Sequence, residues 1–146
     1  MQIQILLLFT DDAGGDHQLT GTTYWSCQGI HFDGYPSVNT LRSISGYIRA
    51  QADSTLFVAN INLPNGAVVT GAIVYGNPAA QAETWFLERI DLDSLAKTVM
   101  ATALIDTEDT TISVDTIDNT ANSYLFRTGT LDTGDRIYGA RITYTV

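Results

Sequence analysis

Apolar and polar residues alternate along most of this chain, and helical spacing is scarce. In residues 136–146, RIYGARITYTV, a period of two puts Tyr138, Ala140, Ile142, Tyr144 and Val146 on one face. Ile137, Gly139, Arg141, Thr143 and Thr145 fall on the other. TLFVANINL sets Phe57, Ala59, Ile61 and Leu63 against Leu56, Val58, Asn60 and Asn62 in the same way. AVVTGAIVY is apolar on both faces, which predicts a strand covered on both sides. ETWFLERI, KTVMATALI, TTISVDTI and NSYLFRT are rich in β-branched and aromatic residues and are further strand candidates.

The joins carry turn chemistry: LPNG, GNPAA, DLDS, DTED, DN and LDTGD, in which Pro, Gly, Asn and Asp supply the special dihedrals and local side-chain hydrogen bonds. Short strands at near-regular spacing predict an all-β chain, an antiparallel β-sandwich of jelly-roll or immunoglobulin-like layout with an N-terminal extension strand. The one candidate helical turn is LDSLAKTVM. Residues 11–54 are less regular: GIHFDGYPSVN reads as a long surface loop and SGYIRAQADS as a strand or a short helix. With 146 residues, the expectation is one domain over residues 16–146, preceded by a strand and tether over residues 1–15.

The stretches INLPNGAVVTGAIVYG and YLFRTGTLDTGDRIYGARITYTV resemble a set of bacterial secreted or surface all-β proteins with an LP-[DHN]-GA-x-[IV]-T strand and a closing GARITYT. The likeness runs from about Ile61 to the end of the sequence. It implies a jelly-roll-like sandwich at the cell exterior and no reaction, because the shared motif holds no catalytic residue.

Charge narrows the partners. Sixteen Asp and Glu stand against seven Lys and Arg, a formal charge of −9, with a single lysine at Lys97. Such a surface repels phosphate backbones and shows no basic stripe, so nucleic acid is not an expected partner. The apolar run from Ile5 to Phe9 is far short of the ~20 residues a membrane helix needs. It also lacks the basic start and cleavage site of a secretory signal, so an exported chain of this kind is expected to have lost a leader upstream.

Candidate chemistry is thin. Cys27, His31 and Asp33 in CQGIHFDGY are metal-ligand types, but a structural zinc site closes with four ligands, and the other histidine, His17, lies ten residues upstream of the cysteine. The same scarcity counts against a Cys/His nucleophile, so the chain is not expected to be an enzyme. Acidic turns offer oxygen for calcium, with Asp91, Asp93, Asp132 and Asp135 the candidates, although none follows the EF-hand order. Asp is equally a turn residue whose carboxylate caps nearby amides. Trp25, Tyr35 and Tyr47 could stack on the apolar faces of sugars or could cap the core.

The N-terminal MQIQILLLF puts Ile3, Ile5, Leu7 and Phe9 on one face. It reads either as the first strand of the chain's own sandwich or as a strand donated to a neighbouring copy, where alternate side chains fill pockets. Burying four such side chains is worth on the order of 6 to 12 kcal/mol, comparable with the ~4 to 15 kcal/mol cost of association. The following TDDAGGD is polar and can span about 25 Å when extended. Head-to-tail donation propagates, so the expected function is a homopolymeric structural subunit of an extracellular or cell-surface filament. The alternative is a carbohydrate- or receptor-binding sandwich, such as a trimeric phage or surface fibre head, using the loop around residues 29–39.

Overall fold

A computed structural model describes residues 8–10, 16–18 and 21–146. In chain order the strands are β1 (Leu8–Thr10), β2 (Asp16–Gln18), β3 (Thr22–Gln28), β4 (Asp33–Tyr35), β5 (Thr40–Arg42), β6 (Ile48–Ala50), β7 (Leu56–Ile61), β8 (Val68–Gly76), β9 (Thr84–Asp91), β10 (Lys97–Leu104), β11 (Asn122–Thr128) and β12 (Arg136–Thr145). They build an antiparallel, two-sheet, jelly-roll-like sandwich. One sheet runs β10-β9-β11-β7-β4. The other is centred on β12, with β8 on one side and, on the opposite side, β3 along residues 139–145 and β6 at residues 136–137, followed by β5.

Alternation decides which side chains fill the space between the sheets. Phe57, Ala59, Ile61 and Leu63 are all buried, as the pattern of TLFVANINL predicts. Trp85 and Leu87 of β9, Tyr124 and Phe126 of β11, and Ile137, Ile142 and Tyr144 of β12 meet them. Phe126 sits at the centre, 5.9 Å from Trp85 in an edge-on contact and 6.3 Å from Trp25. In β8, Val69 and the run Gly71–Val74 are buried, so this strand is covered on both faces.

Strict alternation fails in β12. Between Ile137 and Gly139 the strand advances two residues while β8 advances one, from Gly76 to Tyr75, which is a β-bulge. The bulge inverts the phase: Ile137 is fully buried, whereas Tyr138 is 47% exposed, the reverse of the faces the simple pattern gives. Gly139 permits the close approach, because a Cβ there would lie 2.5 Å from the Cys27 carbonyl oxygen.

Three other expectations need correction. TTISVDTI is not a strand. Residues 106–117 instead track the free edge of β8 through the amide of Asp106 to the Val74 carbonyl (2.8 Å), the amide of Val69 to the Asp115 carbonyl (2.9 Å) and bridges at Ala72–Asp109 and Val68–Thr116. Asp109 takes up the amides of Thr102 and Thr111 with its carboxylate, and Val114 adopts a left-handed φ of 52°, so regular pairing stops. The result protects an otherwise open sheet edge.

GIHFDGYPSVN is more than a surface loop. It holds short 3-10 turns at Gly29–His31 and Ser37–Asn39, the edge strand β4 and a fully buried Phe32. Arg42 ties it down, donating to the carbonyls of Ile30 (3.0 Å) and Phe32 (2.7 Å) and to the Asp33 carboxylate. Within LDSLAKTVM the chain makes a turn, with Leu95 at φ 61°, and then enters β10 rather than a helix. SGYIRAQADS takes its strand option in β6.

At the N-terminus, β1 and β2 pair as a two-stranded antiparallel sheet in the register Leu8–Gln18, Phe9–His17 and Thr10–Asp16. The first and last residues of TDDAGGD, Thr10 and Asp16, are therefore paired residues of this small sheet. The expected boundary between residues 15 and 16 falls between its two strands. Ile3, Ile5 and Leu7 lie outside the described residues.

Candidate functional site

The sequence-nominated side chains disperse. Trp25 points inward from β3 and packs on Phe126, a core role. Tyr35 is 59% exposed on β4, in the opposite sheet. Tyr47 lies just before β6 beneath the Arg136 guanidinium, 4.5 Å from its ring centre. Cys27 packs against the core, and burial pushes its thiol up to about 11, so it is protonated near neutrality and is a poor nucleophile. His31 is exposed and Asp33 pairs with Arg42. The three do not converge on a metal.

The acidic turns divide. The Asp91 carboxylate accepts the amides of Asp93 and Ser94, both at 2.9 Å, and these bonds hold its own carboxyl below the usual range. Asp91 and Asp93 are thus turn residues. Asp132 and Asp135 instead meet Glu83, their oxygens within 4.8 Å of one another. Asp135 is buried and accepts the Asp132 amide at 2.9 Å. Burial first, and then the charges of Asp132 and Asp135, hold the Glu83 carboxyl above its usual range. This cluster could coordinate a divalent ion such as calcium, with waters or carbonyls completing the shell. Glu83 went unread because it lies far from LDTGD in sequence, at the end of the 3-10 turn Pro78–Ala82.

Among the described residues, a groove also lies on the outer face of the β3-β12-β8 layer. The bulge turns Tyr138 outward. Gly139, the next residue, pairs with Gln28 on one side and Tyr75 on the other and contributes no side chain. The gap is a shallow groove of about 430 Å³ lined by Tyr75, Tyr138, Gln28, Ser26 and Arg141, with Cys27 and Ala140 beneath. Arg141 is the only lining residue with a formal charge. Its guanidinium extends to Tyr24, 5.6 Å from the ring centre, and to Glu108, with an N···O separation of 3.6 Å. Tyr24 is 44% exposed, so aromatic surface continues past the groove.

These groups suit a ligand with apolar faces and many hydroxyls. Tyrosine rings give flat apolar surface, the Gln28 amide and Ser26 hydroxyl both donate and accept, and the guanidinium donates. A second groove of about 390 Å³ is lined by Asn60, Asn62, Asn119, Asn122 and Ser123 with Ile61 and Tyr124, and because the Tyr124 ring is buried it offers no exposed platform. There the Asn119 and Asn122 amides are spent on the Leu63 and Asp118 carbonyls, and the Tyr124 hydroxyl accepts the Asp118 amide. It is a polar groove at the ends of β7 and β11, braced by these bonds.

No family model and no curated protein matches the chain. Among solved structures, it is similar to the C-terminal CBM6 of LamC, a marine laminarinase from Zobellia galactanivorans, at 13% identity and a TM-score of 0.46, over 83% of this chain and 99% of that one. It is similar to a xylan-binding module, CBM15, at 15% identity and a TM-score of 0.45, over 84% and 97%. A family two carbohydrate esterase from Cellvibrio japonicus aligns at 10% identity and a TM-score of 0.35, over 88% of this chain and 36% of that one. At such scores they lend no argument about a ligand, and the functional reading rests on the groove itself.

Proposed function

We propose that this chain is a non-catalytic carbohydrate-binding β-sandwich module that holds a glycan across the outer face of β3, β12 and β8. The observation that carries the reading is the bulge at residues 137–139, which sets Tyr138 outward and leaves Gly139 bare between Tyr75 and Gln28. A sugar ring resting on a tyrosine buries apolar C–H surface, while its rim hydroxyls find the amide, the hydroxyl and the guanidinium. The groove brings together no carboxylate pair and no imidazole, so its chemistry is that of binding rather than hydrolysis. An extracellular or cell-surface setting is where such a ligand would be met.

Affinity electrophoresis in gels containing soluble polysaccharides tests this. Tyr138→Ala and Tyr75→Ala should each abolish retardation of the full chain while leaving its near-UV circular dichroism unchanged. Tyr35→Ala should behave as wild type. Retardation that survives both groove variants and disappears with Tyr35→Ala would move the site to the β4 loop. Polymerisation through Ile3, Ile5, Leu7 and Phe9 is a separate proposal that no observation among the described residues favours.

A further inference from the structure

The groove continues into a polar pair whose arrangement speaks to the kind of glycan it takes. Glu108 lies against Gly71 of β8, where a Cβ would come within 2.9 Å of its Oε1, so a glycine shelf seats this carboxylate on the sheet. Gly71 pairs with Thr143, the next outward residue of β12 after Arg141. The Glu108 oxygen and the Arg141 Nη2 are 3.6 Å apart, outside hydrogen-bond range, and both side chains are 38% exposed. The Arg141 Nε is buried and without a hydrogen-bond partner, so the donor this side chain offers to solvent is its Nη end. The pair therefore presents a donor and an acceptor side by side, next to Tyr24 and at the end of the tyrosine groove.

Resting on the carbohydrate reading above, the geometry points to a neutral glycan with adjacent free hydroxyls, recognised by Glu108 and Arg141 acting as a unit. One hydroxyl donates to the Glu108 carboxylate while its neighbour accepts from the Arg141 guanidinium, a complementarity a single hydroxyl does not offer. The charges of the pair offset each other, so the face has no net positive charge with which to hold a polyanion. The molecule around it carries −9, and a polyuronate or sulfated chain is repelled. The pair thus selects for hydroxyl pattern, and the charge of the whole molecule selects against polyanions.

The test is affinity electrophoresis of the full chain against soluble β-1,3-glucan, xylan and galactomannan and against alginate and polygalacturonate, with Kd measured by calorimetry for any polymer that retards it. Retardation by at least one neutral polymer and by neither polyuronate is expected, with a Kd that is nearly independent of salt. Glu108→Gln and Arg141→Gln should each weaken that binding by about tenfold, as for loss of a charge-assisted hydrogen bond, and the double variant should lose little more than either single one. Polyuronate binding at least as tight as neutral binding, or unchanged affinity in both single variants, overturns the specificity assignment and leaves the carbohydrate reading standing. Absence of retardation by every polymer overturns both.

Discussion

Phe126 joins the two sheets in the interior. It touches Trp85 and Trp25, one from each sheet, so truncation opens a cavity that neither neighbour can fill alone. Phe126→Ala should cost about 3–5 kcal/mol in chemical denaturation. A loss below about 1 kcal/mol would mean the two tryptophans close over the gap. Glu83 makes a different prediction, through pH. Its carboxyl is raised in the folded state, so the folded chain holds that proton more tightly than the unfolded one. At neutral pH the ionised group therefore costs stability, and the cost disappears as pH falls through the raised folded value. Glu83→Gln should raise Tm at pH 7 without divalent cation, should be neutral well below the ordinary 4.5, and should blunt any rise in Tm on adding calcium. A Tm that falls at pH 7 would mean Glu83 is held by contacts rather than strained by its neighbours. Asp53, Asp91 and Asp118 act oppositely, since hydrogen bonds lower their carboxyls. Their contribution is present above the ordinary 3.8 and is lost as pH drops below it.

At the scale of elements, β12 carries both the fold and the site. Gly139→Ala would drive a methyl into the Cys27 carbonyl and should destabilise the chain by about 1–3 kcal/mol while displacing Tyr138. Wild-type stability in urea would show that the bulge does not depend on this glycine. The same element marks where reading the sequence stops. A period of two was enough for β7 and for β12 beyond Gly139, while β9, β10 and β11 were legible from β-branched and aromatic content; in β10 a bulge leaves Met100 and Ala101 both buried. The period placed Tyr138 with Ala140 and Ile142, since one inserted residue leaves no trace in composition yet flips every side chain before it. Tyr75 was hidden for another reason: AVVTGAIVY is apolar on both faces, so neither stands out. TTISVDTI has strand propensity, but the carboxylate of Asp109, just before it, binds the Thr102 and Thr111 amides, a competition propensity does not weigh. Asp132 and Asp135 were legible as an acidic turn, whereas their convergence with Glu83 depends on tertiary packing alone.

The whole molecule is an acidic sandwich with one face roughened by a bulge, and its charge and its groove point to the same kind of ligand. Sixteen acids against seven bases discourage polyanions, and the groove offers tyrosine, amide, hydroxyl and an offset ion pair. The most direct check is a chemical-shift map of the isotopically labelled full chain titrated with the neutral oligosaccharide that retards it best. Saturable shifts should cluster at Ser26, Gln28, Tyr75, Tyr138, Gly139 and Arg141, with Tyr35 and the Asn60–Asn122 groove silent. Shifts confined to residues 33–42, or none at millimolar sugar, would contradict the assignment of this face as the binding surface.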